Sequence, residues 1–384
     1  IQEFEKEYPN IKVTQAAFNN VDIFPKLMAA LPTKTNPTMT FAPPDRAMAI
    51  WNMGYAQPHD ELVKKIDEQH KYIPSARDMF FFDGHYWSVP TWTITLMLYY
   101  RKDLLKEAGF DEPPKTWDEL LVMAEALTGN GQFGISIPAS SGQNATDQVV
   151  WAFMSTNGAE VFDEEANIVF NNPKTIETYK FLKELLKYAP RDAISWGWGE
   201  TKLGFTSGRC AMGILFGSVL QDFIDTTDFP DEVGAVLIPI PKGGKLGGYK
   251  TCESLMILER EDQAKIEASK KFIEFFFRPN MYGAALANMQ PGLFLPITEL
   301  GMQSEEFLKH ATIARYGEIM NNMFKSVETS SHYCFLHEKR HPAAGKIGVS
   351  YPLAAVMQRI ASDTMTVEQA VEWGQKMMEE LAED

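Results

Sequence analysis

Asp45-Arg46, Trp92 among Thr91, Thr93 and Thr95, Trp196-Gly197-Trp198-Gly199, and Tyr249-Lys250 set flat rings beside carboxylate, guanidinium, hydroxyl and ammonium groups. Sugars and polyols present apolar C–H faces and a rim of hydroxyls. A site for them needs rings to stack and charged groups to bond hydroxyls, often bidentately. A lone tryptophan is more often core than platform, as expected for Trp117 at a helix start and Trp373 within an amphipathic helix. Trp196 and Trp198, paired among glycines, have little local core to join. Asp45 and Arg46 read equally well as a surface ion pair worth little.

Three further motifs suggest other chemistry. Residues 129–134 spell GxGxxG, but a dinucleotide fingerprint needs a strand before it and a helix after it. Here a helix precedes and a strand follows, so a helix end and a turn are expected. Residues 243–251, GGKLGGYKT, resemble a phosphate loop but lead into a strand, which argues for a flexible turn. His337-Glu338-Lys339-Arg340-His341 matches HExxH, which on a helix would place two imidazoles on one face for zinc, with Glu368 as a distant third ligand. Pro342 biases His341 away from helical geometry, and two cations lie between the histidines. A zinc hydrolase is therefore the alternative reading, and a charged loop the preferred one. No GxSxG elbow is present, no catalytic residue is assigned, and no cofactor is expected.

The elements that must position these residues alternate between helix and strand. Ile1, Phe4 and Tyr8 share a helical face, and residues 11–13 read as a short strand. Residues 24–31 are helical, 39–41 a strand, and 42–46 a loop. Residues 91–100 read as one strand, rich in β-branched and aromatic types. Thr116 and Glu119 form a capping box, as do Thr366 and Gln369, and Asn172-Pro173 starts another helix. Strands are expected at 133–138, 211–215, 233–239 and 255–258, with helices at 268–277 and from 367 to the end. The pattern is α/β throughout.

At 384 residues the chain is long enough for two lobes. Lys and Arg total 36 against 51 acids, a balance of −15 that repels nucleic acid and anionic lipid. Cys210, Cys252 and Cys334 cannot all pair within one chain, which excludes a disulfide-built scaffold. No apolar run approaches the ~20 residues that span a bilayer. Residue 1 already falls in a helical pattern, so the sequence reads as a processed or trimmed product, with export possible.

With these residues in view, the chain resembles the family 1 extracellular solute-binding proteins of ABC importers, the group that contains maltose-binding protein. FEKEYPNIKV (4–13) is similar to the family's first helix and following segment. DGHYWSVP (83–90), YRKD (100–103), Ala108-Gly109 and PPKTWDE (113–119) form its most distinctive block, and FTSGRCAM (205–212) resembles a strand entry. The resemblance implies a two-lobed periplasmic-binding-protein-like fold (type II), with hinge strands and a ligand cleft. The N-terminal lobe would comprise 1–92 and 249–297, and the C-terminal lobe 93–248 and 298–384. It implies a monomer outside the cytoplasm that captures a carbohydrate or polyol and hands it to a membrane permease. By similarity, Asp45 and Arg46 bond ligand hydroxyls. Where the maltose protein has an acidic contact this chain has Ile94, so Trp92 and Thr93 are expected instead. Phe216 and Ser218 fall near a position where relatives often carry tryptophan; Trp198 would supply that platform, and Trp196 is a further ligand candidate. Tyr249 and Lys250 lie near the second crossing. The family's first strand and contact loop have no counterpart before the first helix here.

Overall fold

The structure, a computed structural model, describes residues 1–17 and 20–383. The chain forms two compact units, one of Ile1–Trp92, Cys252–Leu286 and Pro296–Leu308, the other of Thr93–Thr251, Ala287–Leu295 and Lys309–Asp384.

The first unit is built on a four-stranded sheet in the order Met39–Ala42, Lys250–Ile257, Val89–Thr95, Leu295–Pro296. Met39–Ala42 runs antiparallel to its neighbour, with Phe41 opposite Leu255 and Ala42 opposite Ser254. Helices Gln2–Glu7, Asp60–His70 and Gln263–Phe276 each bury one apolar stripe: Phe4; Leu62, Val63 and Ile66; Ile266, Ile273 and Phe275. Phe4 meets Phe272 and Phe275 edge-on, with centroids 5.2 and 5.4 Å away. The buried Tyr282 hydroxyl donates to the Thr91 carbonyl and accepts from the Ile297 N–H, tying a helix to strand Val89–Thr95 and to the residue that follows strand Leu295–Pro296.

Three expectations change in this unit. Residues 11–13 are not a strand, because Ile11 N–H bonds the Tyr8 carbonyl and Val13 N–H bonds the Glu5 carboxylate at 2.9 Å, leaving no ladder. Asp45 and Arg46 lie in the first turn of a helix, Pro44–Asn52, which Pro44 starts with its ring-fixed φ. The strand read at 255–258 begins earlier, at Lys250.

The second unit carries another four-stranded sheet, Phe133–Ser136, Cys210–Leu215, Met97–Arg101, Val233–Val236. Its first pair is parallel and the other two are antiparallel. Asn144–Asn157 is buried along almost its whole length and packs with Pro352–Ala361, which in turn packs with the final helix Val367–Glu383. Both capping boxes form: Glu119 N–H donates to Thr116 Oγ1 at 3.2 Å, and Gln369 N–H to Thr366 Oγ1 at 3.2 Å. Asn172 Oδ1 accepts from Thr175 N–H as the expected cap. Residues 129–134 lie between helix Trp117–Ala126 and strand Phe133–Ser136, the reverse of a dinucleotide site.

The single strand read over 91–100 is two, Val89–Thr95 and Met97–Arg101, one in each sheet. Hydroxyls fasten the first of them at a period of two. Thr91 donates to the Glu253 carbonyl (2.8 Å) in the first unit, while Thr93 donates to Thr251 (2.9 Å) and Thr95 to Tyr249 (3.1 Å) in the second. Cys210, Cys252 and Cys334 are buried and form no disulfide among the described residues. Among the described residues, no helix is long and apolar enough to cross a membrane.

Candidate functional site

The first unit gathers one group of expected residues. Helix Pro44–Asn52 follows strand Met39–Ala42 after a single residue, so Asp45 and Arg46 emerge beside the strand's end. Asp45 is buried in the helix's first turn, where a carboxylate complements the helix dipole. Arg46 lies with its guanidinium 5.8 Å from the Phe24 ring centroid. Trp92 is buried and packs on Phe41, with centroids 4.8 Å apart and rings inclined at 54°. Phe41 is 45% exposed, so this aromatic pair is capped by a ring that water reaches.

Sequence reasoning missed Glu253. It sits mid-strand in Lys250–Ile257, where every other side chain is buried and it alone is half-buried. Side chains on a strand alternate, so Glu253 shares a face with Leu255 and therefore with Phe41 opposite. Burial pushes its carboxyl up to about 7; Arg46 offsets part of that rise and Asp45 adds to it. The overlooked signal was a single acid inside an otherwise apolar and hydroxyl-bearing strand.

The second unit gathers an aromatic group. Trp198 opens helix Trp198–Thr206 and packs on Phe216 at 4.7 Å, both rings half-buried. Phe216 meets the buried Tyr249 edge-on at 6.4 Å, and Tyr249 lies 5.7 Å from His332. Gln148, from helix Asn144–Asn157, donates through Nε2 to the Tyr249 hydroxyl at 2.8 Å, while its buried Oε1 has no partner among the described residues. An unpaired buried acceptor costs about 1–3 kcal/mol until a donor reaches it. Gln148 and His332 also escaped the sequence reading, since neither type stands out within its segment. Gly217 fixes the turn that carries Phe216: a Cβ there would overlap the Gly292 carbonyl oxygen. Ser218 follows, half-buried, at the N-cap of helix Val219–Thr226.

The polar atoms of the remaining candidates bond within the scaffold. Trp196 has the local core that its sequence neighbours hid. It is buried, Arg209 covers its ring at 5.4 Å, its Nε1 donates to Asp192, and Gly204 lies close against its edge. Lys250 is buried with its ammonium on the Val327 carbonyl. Thr93 is buried with its hydroxyl on Thr251.

The HExxH alternative is overturned. Residues 337–339 are bends and 340–341 irregular rather than helix, so the i, i+4 geometry that would pair the imidazoles is missing. His341 Nδ1 accepts from Ala343 N–H, His337 faces Glu160 at 3.4 Å, and Glu368 is held by Lys180 at 2.7 Å. Among the described residues, no cluster of three His, Cys, Asp or Glu side chains could hold a metal.

The family model described as bacterial extracellular solute-binding protein matches residues 1–281. YcjN of Escherichia coli K12, whose name places it among ABC transporter periplasmic-binding proteins, is 26% identical over 395 aligned positions, covering 100% of this chain and 88% of that protein. The mannitol-binding protein of Pseudomonas aeruginosa is 27% identical, covering 63% of this chain and 57% of that protein. Among solved structures, an Agrobacterium radiobacter K84 solute-binding protein in complex with ribitol aligns with TM-score 0.81 at 19% identity, covering 99% of this chain and 94% of that one. The D-mannitol-bound protein of Agrobacterium vitis S4 gives 0.76 at 22% identity, covering 99% and 93%. These likenesses fix the architecture as that of two-lobed solute-binding proteins.

Proposed function

The chain belongs to the bacterial extracellular solute-binding proteins, and from that premise we propose that its ligand is a neutral sugar or polyol. As a member of that family it is the extracytoplasmic binding component of an ABC transporter, a transport protein rather than an enzyme. Its partner is the membrane permease that receives the solute.

The observation that carries the ligand class is the water-accessible Phe41 ring on Trp92, beside Asp45, Arg46 and Glu253. A ring takes the C–H face of a sugar, and carboxylates with a guanidinium take its hydroxyls by charge-assisted bonds. Trp198, Phe216, Tyr249 and Gln148 offer the same chemistry in neutral form. The mannitol-binding relative and the ribitol- and mannitol-bound neighbours support polyols within that class. For the lobes, we assign the crossings to strands Val89–Thr95 and Lys250–Ile257, which both begin in one compact unit and end in the other.

Mass spectrometry of small molecules released by denaturing freshly purified protein tests the reading, together with a thermal-shift panel of sugars, polyols, amino acids and small anions. A released or stabilising saccharide or polyol is expected. A response confined to amino acids or anions would sink the ligand class and leave the family untouched.

A further inference from the structure

We propose that Glu253 is a direct ligand contact of the first unit, one that selects neutral polyhydroxy compounds and turns away anions; this rests on the ligand reading above. Strand Lys250–Ile257 buries seven of its eight side chains, and the exception is a carboxylate. An acid at the centre of a sheet is costly to desolvate, so its half-burial without a hydrogen-bonded side-chain partner among the described residues calls for a function. Its backbone is anchored, since the Thr91 hydroxyl donates to its carbonyl, and its neighbour Ser254 donates to the Ala42 carbonyl. The side chain is therefore presented from a fixed point, on the face that carries the exposed Phe41 ring.

Two charged groups act on it, Asp45 and Arg46, both from the first turn of helix Pro44–Asn52. With both acids ionised, the three groups sum to one negative charge. Hydroxyls are donors as well as acceptors, so they satisfy two carboxylates and a guanidinium together. A carboxylate or phosphate ligand would gain Arg46 but face two like charges.

Proton linkage gives this arrangement a signature. In the free protein burial, reinforced by Asp45, holds the Glu253 carboxyl near neutrality at about 7. A ligand hydroxyl donating to the carboxylate favours the ionised form, so binding expels the proton. Affinity then rises with pH across the window below and through about 7, and levels off above it. If one full proton is expelled, the gain between pH 6 and pH 8 is about tenfold.

The test is titration calorimetry of D-mannitol, ribitol and maltose from pH 5.5 to 8.5, in two buffers of different ionisation heat, on the wild type and Glu253→Gln. D-gluconate serves as the anionic probe. Support is a neutral probe that binds about tenfold tighter at pH 8 than at pH 6, with proton release near pH 7. In E253Q the slope should vanish and gluconate should bind more tightly than to the wild type. A neutral probe that binds with a flat pH profile, or an E253Q that keeps the slope, overturns the assignment while the ligand class survives. If no neutral probe binds at any pH, the ligand class falls and the assignment with it. Should E253Q fail to fold, the wild-type slope and proton count decide alone.

Discussion

The two candidate groups, one in each compact unit, offer different physics for recognition. Phe41, Asp45, Arg46, Trp92 and Glu253 in the first unit combine one aromatic pair with three ionisable groups, two of them acids. Trp198, Phe216, Tyr249, His332 and Gln148 in the second form a chain of rings closed by one amide. Charge-assisted bonds are strong and directional, so the first group should decide which hydroxyl pattern is accepted. Ring contacts are weaker and tolerant, so the second should contribute affinity with little discrimination.

Arg46→Ala should separate the two most sharply. It removes the one guanidinium beside two acids, and the expected cost is about 2–3 kcal/mol, or roughly a hundredfold in Kd by calorimetry with the best panel ligand. An R46A protein that bound within threefold of wild type would break the division. Trp198→Ala should cost about 1–1.5 kcal/mol, roughly tenfold, and by a similar factor for every neutral ligand. Selective loss for one ligand would move discrimination to the aromatic group.

Gln148→Leu removes the unpaired acceptor. Affinity should fall several-fold while the melting temperature of the unliganded protein holds, since the free protein gives up a costly orphan along with one bond to Tyr249. A large fall in unliganded stability would make Gln148 a scaffold residue.

Glu253→Gln also has a stability signature without ligand. A carboxyl whose pKa is raised to about 7 in the fold makes the folded state the better proton acceptor. It therefore costs stability above pH 7, and that cost fades as pH falls toward the ordinary carboxylate value near 4.5. E253Q should melt above wild type at pH 8, with the gap closing by pH 4.5. The smallest effect belongs to Trp196→Phe: a loss of stability from the missing Asp192 bond, with ligand affinity unchanged. Lost affinity there would return Trp196 to the ligand.

The same contrast explains what the sequence made legible. Helix caps, turn residues and apolar periodicity are local, so the boxes at Thr116 and Thr366, the Asn172 cap and most strands could be read directly. The break at Leu96 could not, because it depends on two sheets claiming successive strands of one apolar run. Asp45 and Arg46 announced themselves by type and adjacency. Glu253 did not, since its strand was read as starting two residues after it, and only pairing with Met39–Ala42 gives it a face. Trp196 and Trp198 differ for a reason invisible in their order: the helix starting at Trp198 brings Gly204 back against Trp196, and Arg209 covers it.

The close approach of Gly217 to Gly292 bears on how this scaffold could change diet. Neither backbone can take on a side chain without pushing the other away, and Gly292, at φ +80°, is also in a region that favours glycine. Mutational drift is thus barred from shifting the turn that presents residue 216, yet it remains free to exchange the ring placed there. New ligand preferences would be sampled by swapping Phe216 for tryptophan or tyrosine on a fixed mount, so descendants should diverge in the breadth of that platform before they diverge in its position.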